Sequence, residues 1–201
     1  MYKDAFCMKE LMDMVAEMSA HNLVPYEDLP KYDFFLSQVI DYLNDNFTED
    51  KYTNNIIQNY IKSEIISKPE CGKKRGYTKV HVIQLVLISY MRPILTTEEI
   101  RKVLKLAFNS IDDRDDDIIS WEAAYKIFSK MHQKERNILE YPCGFGEDLD
   151  EIIRDMHLSS KDEERIKVFL TVMALSSQAS IIKKLVQRLV HDYSDVQEKQ
   201  E

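Results

Sequence analysis

The residues best equipped for chemistry lie in one run, T-N-N-I-I-Q-N-Y-I-K, from Thr53 to Lys62. Asn54, Asn55, Gln58 and Asn59 carry carboxamides, and a carboxamide both donates and accepts hydrogen bonds. That pairing matches the major-groove edge of adenine, and the Lys62 ammonium suits guanine or phosphate. Ile56, Ile57, Tyr60 and Ile61 alternate with them at helical spacing. A helix over 54–63 therefore turns the apolar side chains inward and the amides outward. Thr53 is placed to cap it, its hydroxyl accepting from an early backbone N–H. Asn59 has a second use open to it, since Asn side chains also bond turn backbones.

Downstream, Lys68, Lys73, Lys74 and Arg75 lie in or beside residues 69–76, where Pro69, Gly72 and Gly76 exclude a helix. Ile65 and Ile66 on one side and Tyr77 on the other are expected to pair as short strands of a β-hairpin. Such a hairpin is a wing whose cations contact phosphate and position a protein on a duplex. The bland alternative is a solvated loop. Lys79 can reach the same backbone, and His81 suits either a phosphate contact or a packed core. Between positions 51 and 105 there are 11 basic and 4 acidic residues, although the whole chain carries a formal net charge of −8. A basic island in an acidic chain calls for an anionic partner.

The flanking elements must hold that run in place. Thr78 is a second cap, and the helix after it, to about Arg92, is apolar on most faces, so it should be a buried spine that Pro93 ends. Thr96 and Glu99 form a capping box before the stripe Ile100, Val103, Leu104, Ala107 and Phe108. Upstream, Leu36, Ile40, Leu43 and Phe47 mark one helix, and Phe6, Leu11, Met12, Val15 and Met18 mark another. Residues 21–33 hold two prolines and read as extended. Beyond the stripe, 112–117 is an acidic loop and Ser120 begins a helix with Trp121, Tyr125, Ile127 and Phe128. Residues 141–146 form a turn, and Leu149, Ile152, Ile153 and Met156 give a short face. Ser160 and Glu163 form a further capping box. It opens a helical stretch to 193, either one long helix or two broken near 176–180, with a fraying tail from 194. The expected fold is mainly α: a winged helix-turn-helix over 51–108, between N-terminal helices (1–50) and a C-terminal helical region (109–201).

Residues 52–108 resemble the DNA-binding domain of the MerR regulators. Ile56–Pro69 sits where that family has its recognition helix and wing entry. Gly76-Tyr77-Thr78-Lys79 matches the wing exit, and Leu95-Thr96-Thr97-Glu98-Glu99-Ile100 the start of the fourth helix. The chain departs from the pattern at Gln58-Asn59, where the regulators carry Arg-Tyr, and at Glu64, where they carry glycine. Residues 53–104 look still more like the bacterial domain of unknown function numbered 1836, whose T-x-x-x-[IV]-x-N-Y-x-K core fits Thr53, Ile57, Asn59, Tyr60 and Lys62. The resemblance implies sequence-specific binding of double-stranded DNA and transcriptional regulation by Thr53, Asn54, Asn55, Gln58, Asn59, Lys62, Lys68, Lys73, Lys74, Arg75 and Lys79. It implies no effector.

Other chemistry finds little footing. Cys7, Cys71 and Cys143 are far apart and form neither a C-x-x-C pair nor a disulfide framework, which fits a reducing cytoplasm. No signal peptide is legible at the N-terminus. The apolar run 80–91 is too short to cross a bilayer. A calcium loop at 112–124 fails, because Ile118 and Ala124 occupy the glycine and glutamate positions. Cys143-Gly144-Phe145-Gly146 lacks the third glycine of a nucleotide fingerprint. The five histidines show no ligand spacing, so no metal, no cofactor and no enzyme are expected. The long C-terminal stripes, among them Ile181, Ile182, Leu185, Val186 and Leu189, serve either this chain's own core or a homodimer interface. The rival to a DNA-binding regulator is a non-enzymatic protein-interaction module on the same scaffold.

Overall fold

The computed structural model describes residues 8–20, 24–47, 50–69, 76–134 and 146–198. Among them the chain is mainly helical: α1 Met8–Ala20, α2 Leu36–Asn46, α3 Asn54–Lys62, α4 Lys79–Met91, α5 Thr97–Leu104, α6 Trp121–Lys134, α7 Gly146–Asp155 and α8 Ser160–Glu198, with a short 3-10 turn at Tyr26–Asp28.

α4 is the spine that its composition demands. Every residue from Val80 to Met91 is buried. Each Val, Leu or Ile so covered contributes about 1.5–3 kcal/mol, so neighbours are needed on all sides. α2, α6 and α8 supply them. The core cluster then runs without a break from Val24 to Ala174. At one end Phe108 stacks on Trp121 at 3.5 Å and meets Phe169 edge-on at 5.6 Å, which locks the end of α5 to α6 and α8. Arg165 of α8 completes that joint by donating to the Lys105 carbonyl and to Asn109 Oδ1, both at 2.7 Å.

Several caps fall where the sequence puts them. Thr96 Oγ1 accepts from Glu99 N–H, and the Glu99 carboxylate accepts from Thr96 N–H at 2.8 Å. The Thr96 hydroxyl donates to the same carboxylate at 2.7 Å, and that bond first, then the backbone one, holds the Glu99 carboxyl below its usual range. Ser120 Oγ accepts from Ala123 N–H at the start of α6. The last box is shifted by one residue: Ser159, not Ser160, caps α8, accepting from Asp162 N–H at 3.3 Å while its hydroxyl donates to Asp162 Oδ2. Of the two alternatives for the C-terminal stretch, the single helix forms, unbroken through 176–180 and continuing to Glu198. The buried face along that helix is what removes the break: Ser176, Ser177, Gln178 and Ser180 are all buried there, so they lie in the core instead of opening a turn. The turn expected at 141–146 falls outside the described residues except for Gly146, which opens α7.

The wing expectation needs a correction. No β-strand occurs among the described residues, only isolated bridges. Tyr77 pairs not with Ile65 or Ile66 but with Phe34, through bonds of 2.8 and 3.2 Å. Ile65 and Ile66 are instead fully buried, and both amides reach back toward the Tyr60 carbonyl. Their side chains are wanted in the core beneath α3, which takes their backbone away from any hairpin.

Buried polar groups fasten the surrounding loops. The Tyr52 hydroxyl lies 2.8 Å from Ser89 Oγ and 3.3 Å from the Leu85 carbonyl. Tyr90 accepts from Val24 N–H, and Tyr125 donates to the Val24 carbonyl at 2.6 Å. Tyr52→Phe keeps the ring and loses the bond; we expect a cost of about 1–2 kcal/mol, read as a fall of roughly 2–8 °C in Tm.

The acidic loop carries a carboxyl pushed above its usual range, Asp117. Burial first, then Asp116 and Asp113, push Asp117 up to about 7 against the opposing pull of Arg114. Its Oδ1 is buried without a hydrogen-bond partner among the described residues. An unfolded aspartate releases its proton near pH 4. Above that pH, and up to the folded value, the native chain holds a proton that the unfolded chain has lost, so stability falls as pH rises through the window. Asp117→Asn should remove this fall. Thermal melts at pH 5 and pH 8 should show the wild type losing about 2–4 °C more than the variant, for roughly 1 kcal/mol at a partly exposed site.

Candidate nucleic-acid interface

Thr53 stands in extended backbone, and its hydroxyl accepts from Ile56 N–H at 3.4 Å, so α3 begins where its cap predicts. Ile57 and Tyr60 are buried, and Ile56 and Ile61 are half-buried. That fixes the rotation of the helix. Thr53, Asn54, Asn55, Asn59 and Lys62 are exposed on the opposite side, with Gln58 half-buried at its edge. Among the described residues no hydrogen bond ties the Asn59 amide. The carboxamides are thus presented outward from one rigid face.

α3 ends in a left-handed turn. Glu64 has φ 54°, Ile65 N–H bonds the Tyr60 carbonyl at 2.9 Å and Glu64 N–H bonds the Ile61 carbonyl at 3.2 Å. This is the Schellman arrangement, which usually carries glycine at that position. A side chain there costs about 1 kcal/mol. The departure from the MerR pattern at Glu64 therefore falls on the residue with the geometry that glycine serves.

The loop after the turn is clipped at both ends by α4. Ser67 donates through N–H and hydroxyl to Gln84 Oε1, each at 3.1 Å. His81 Nδ1 accepts from Thr78 N–H at 3.0 Å on the returning strand of chain. His81 Nε2 lies 3.3 Å from the Lys68 carbonyl on the leaving side. His81 is 1% exposed, so its packed use is the one realised. Lys73, Lys74 and Arg75 lie outside the described residues.

Two of the expected contacts are engaged within the fold. Lys68 is exposed, but its ammonium lies 3.3 Å from Asp112, and its N–H donates to the same carboxylate at 3.0 Å. Those bonds, the backbone one first, hold the Asp112 carboxyl below its usual range. Lys79 lies 3.7 Å over the Tyr26 ring, a cation–π contact shared with Lys126 at 4.5 Å. Neither attachment has a sequence signal, because Asp112 is 44 residues from Lys68 and Tyr26 lies far upstream of both lysines.

Sequence reasoning also missed a shallow cavity of about 180 Å³ behind the α3 turn, lined by Glu64, Arg101, Lys105, Phe108, Asn109 and Asp112 among others. Its charges are mixed, two cations against two carboxylates. Among the described residues no group of three His, Cys, Asp or Glu is placed to hold a metal ion.

Comparison with known proteins puts this geometry in a family. "Uncharacterized protein YkrK" of Bacillus subtilis (strain 168) is 36% identical over 86 residues, which is 39% of this chain and 36% of that protein. The matched part is thus about a third of the length of that relative. No solved structure matches the chain. Residues 24–128, from the loop that Tyr125 fastens through α3 and α4 to α6, match the domain of unknown function DUF1836, and the chain belongs to that family.

Proposed function

We propose that the chain binds double-stranded DNA in the cytoplasm and regulates transcription, with α3 as the helix that enters the major groove. The observation that carries this is the outward face of α3, where Asn54, Asn55, Asn59 and Lys62 are exposed together beside Gln58. A carboxamide can bond adenine at two positions at once, and such a contact discriminates by about 1–3 kcal/mol. α3 with its cap and its left-handed exit supports a MerR-like helix-turn-helix in which the segment 69–76 takes the place of the wing. Lys62 with Lys73, Lys74 and Arg75 supplies the phosphate contacts.

Fluorescence anisotropy against duplexes selected from a random pool tests this. With about four phosphates neutralised, affinity should fall about 100-fold between 50 and 200 mM salt. Gln58→Ala should re-order the preferred sequences, while Lys73→Ala with Lys74→Ala should weaken all of them and reduce the salt slope by about two. Absent or salt-insensitive binding would sink the proposal and leave the protein-interaction module standing.

Asp112 makes a second, opposite prediction. It adds a negative charge beside the leaving side of the loop and engages Lys68. An exposed pair of this kind contributes no more than about 1 kcal/mol. Asp112→Asn should therefore raise DNA affinity about two- to five-fold at low salt while Tm moves by less than about 2 °C. Weaker binding by this variant would show that Lys68 needs its partner to be positioned.

A further inference from the structure

α8 has two apolar faces. One, with Ile166, Leu170, Met173 and Ile181, is buried in the helical body. The other lies half a turn round: Val168, Val172, Leu175, Ala179, Ile182, Val186 and Leu189. Their spacing alternates four and three throughout, the 3.5-residue period of a coiled-coil seam. Val168 is 44% exposed, Leu175 41%, Ile182 42% and Val186 53%. A helix that only closes its own core needs one stripe, and among the described residues the second is left half-buried to exposed.

We propose that this stripe is the seam of a coiled coil with α8 of a second copy of the chain. A heptad seam is complementary to itself, so one surface serves both partners of a two-fold pair. The run from 168 to 189 is about 32 Å long and exposes roughly 400 Å² of mostly apolar surface, the size of the largest patch on an ordinary monomer, which is often functional. Covered on both copies together with its polar borders, it reaches the roughly 1,000 Å² of a specific interface. Lys161, Glu164, Thr171 and Lys183 border it with mixed charge. The charge beside it is therefore of both signs, without the wholly cationic rim that an anionic bilayer surface selects. α8 is also long and apolar enough to span a bilayer over Ser160–Asp192, but 56% of that apolar window is buried in the fold. Spanning would strip the core, whereas pairing leaves it intact. The assembly does not depend on the DNA reading.

Light scattering of the full chain at about 50 µM, with sedimentation velocity, tests the seam. We expect twice the chain mass of 23.7 kDa. Leu175→Lys with Ile182→Lys should halve that mass while the helical circular dichroism stays at the wild-type value, because both positions already face out of the core, and Tm should fall only to that of the dissociated chain. If the double variant misfolds, Val186→Glu alone should weaken dimerisation at least about tenfold with the fold retained. A monomeric wild type overturns the proposal, and so does a folded variant that keeps wild-type dimerisation. Co-flotation with phosphatidylcholine–phosphatidylglycerol vesicles by a monomeric wild type, lost in the double variant, would assign the stripe to a bilayer instead.

Discussion

Everything in this structure leans on the total burial of α4. A 13-residue helix with apolar side chains all round cannot rest on a single neighbour, so α2, α6 and α8 close around it. Its few polar side chains then become fixed points. A buried polar group without a partner costs about 1–3 kcal/mol, and four of these side chains reach for loops, although Gln84 Nε2 has no partner among the described residues. Gln84 holds Ser67, His81 holds Thr78 and the Lys68 carbonyl, Ser89 holds Tyr52, and Tyr90 holds Val24. In the sequence Gln84 and Ser89 only interrupt an apolar run and His81 suits either a phosphate contact or a packed core; in the fold they fasten the chain on both sides of α3.

The candidate interface inherits its rigidity from these anchors. Tyr52, bound to Ser89, sets the position of the Thr53 cap, and Ile57 and Tyr60 set the helix rotation. The Schellman turn at Glu64 drives Ile65 and Ile66 into the core. The outward amides are therefore held from below by packed side chains. Pre-organisation of this kind lowers the entropy cost of binding. The charge is less simply arranged. Lys68 faces Asp112 and Lys79 faces Tyr26, so the basic island counted along the chain is broader than the set of cations left to meet a ligand.

Much of the module was legible because its signals are local. Thr53, Thr96 and Ser120 cap helices through bonds to residues three positions on, and the 3.6-residue period of Ile57 with Tyr60 or Ile100 with Leu104 follows from helix geometry alone. The capping box at Ser160 was displaced by one residue because Ser159 and Ser160 are equally competent and only the path of the chain chooses between them. The hairpin failed for a different reason. Strand pairing joins distant segments, and Tyr77 had two possible partners; Phe34, 43 positions away, took it.

By itself the sequence determined what short-range physics can determine: a mainly helical chain, an α4 that must be buried, and an α3 with its amides on one side. Tertiary structure alone decided which lysines are already engaged, which backbone Tyr77 meets, how Glu64 comes to occupy a left-handed turn, and which of the two apolar faces of α8 enters the core. Those outcomes rest on contacts between segments far apart in the chain, where the packing of one core chooses among partners that local pattern cannot rank.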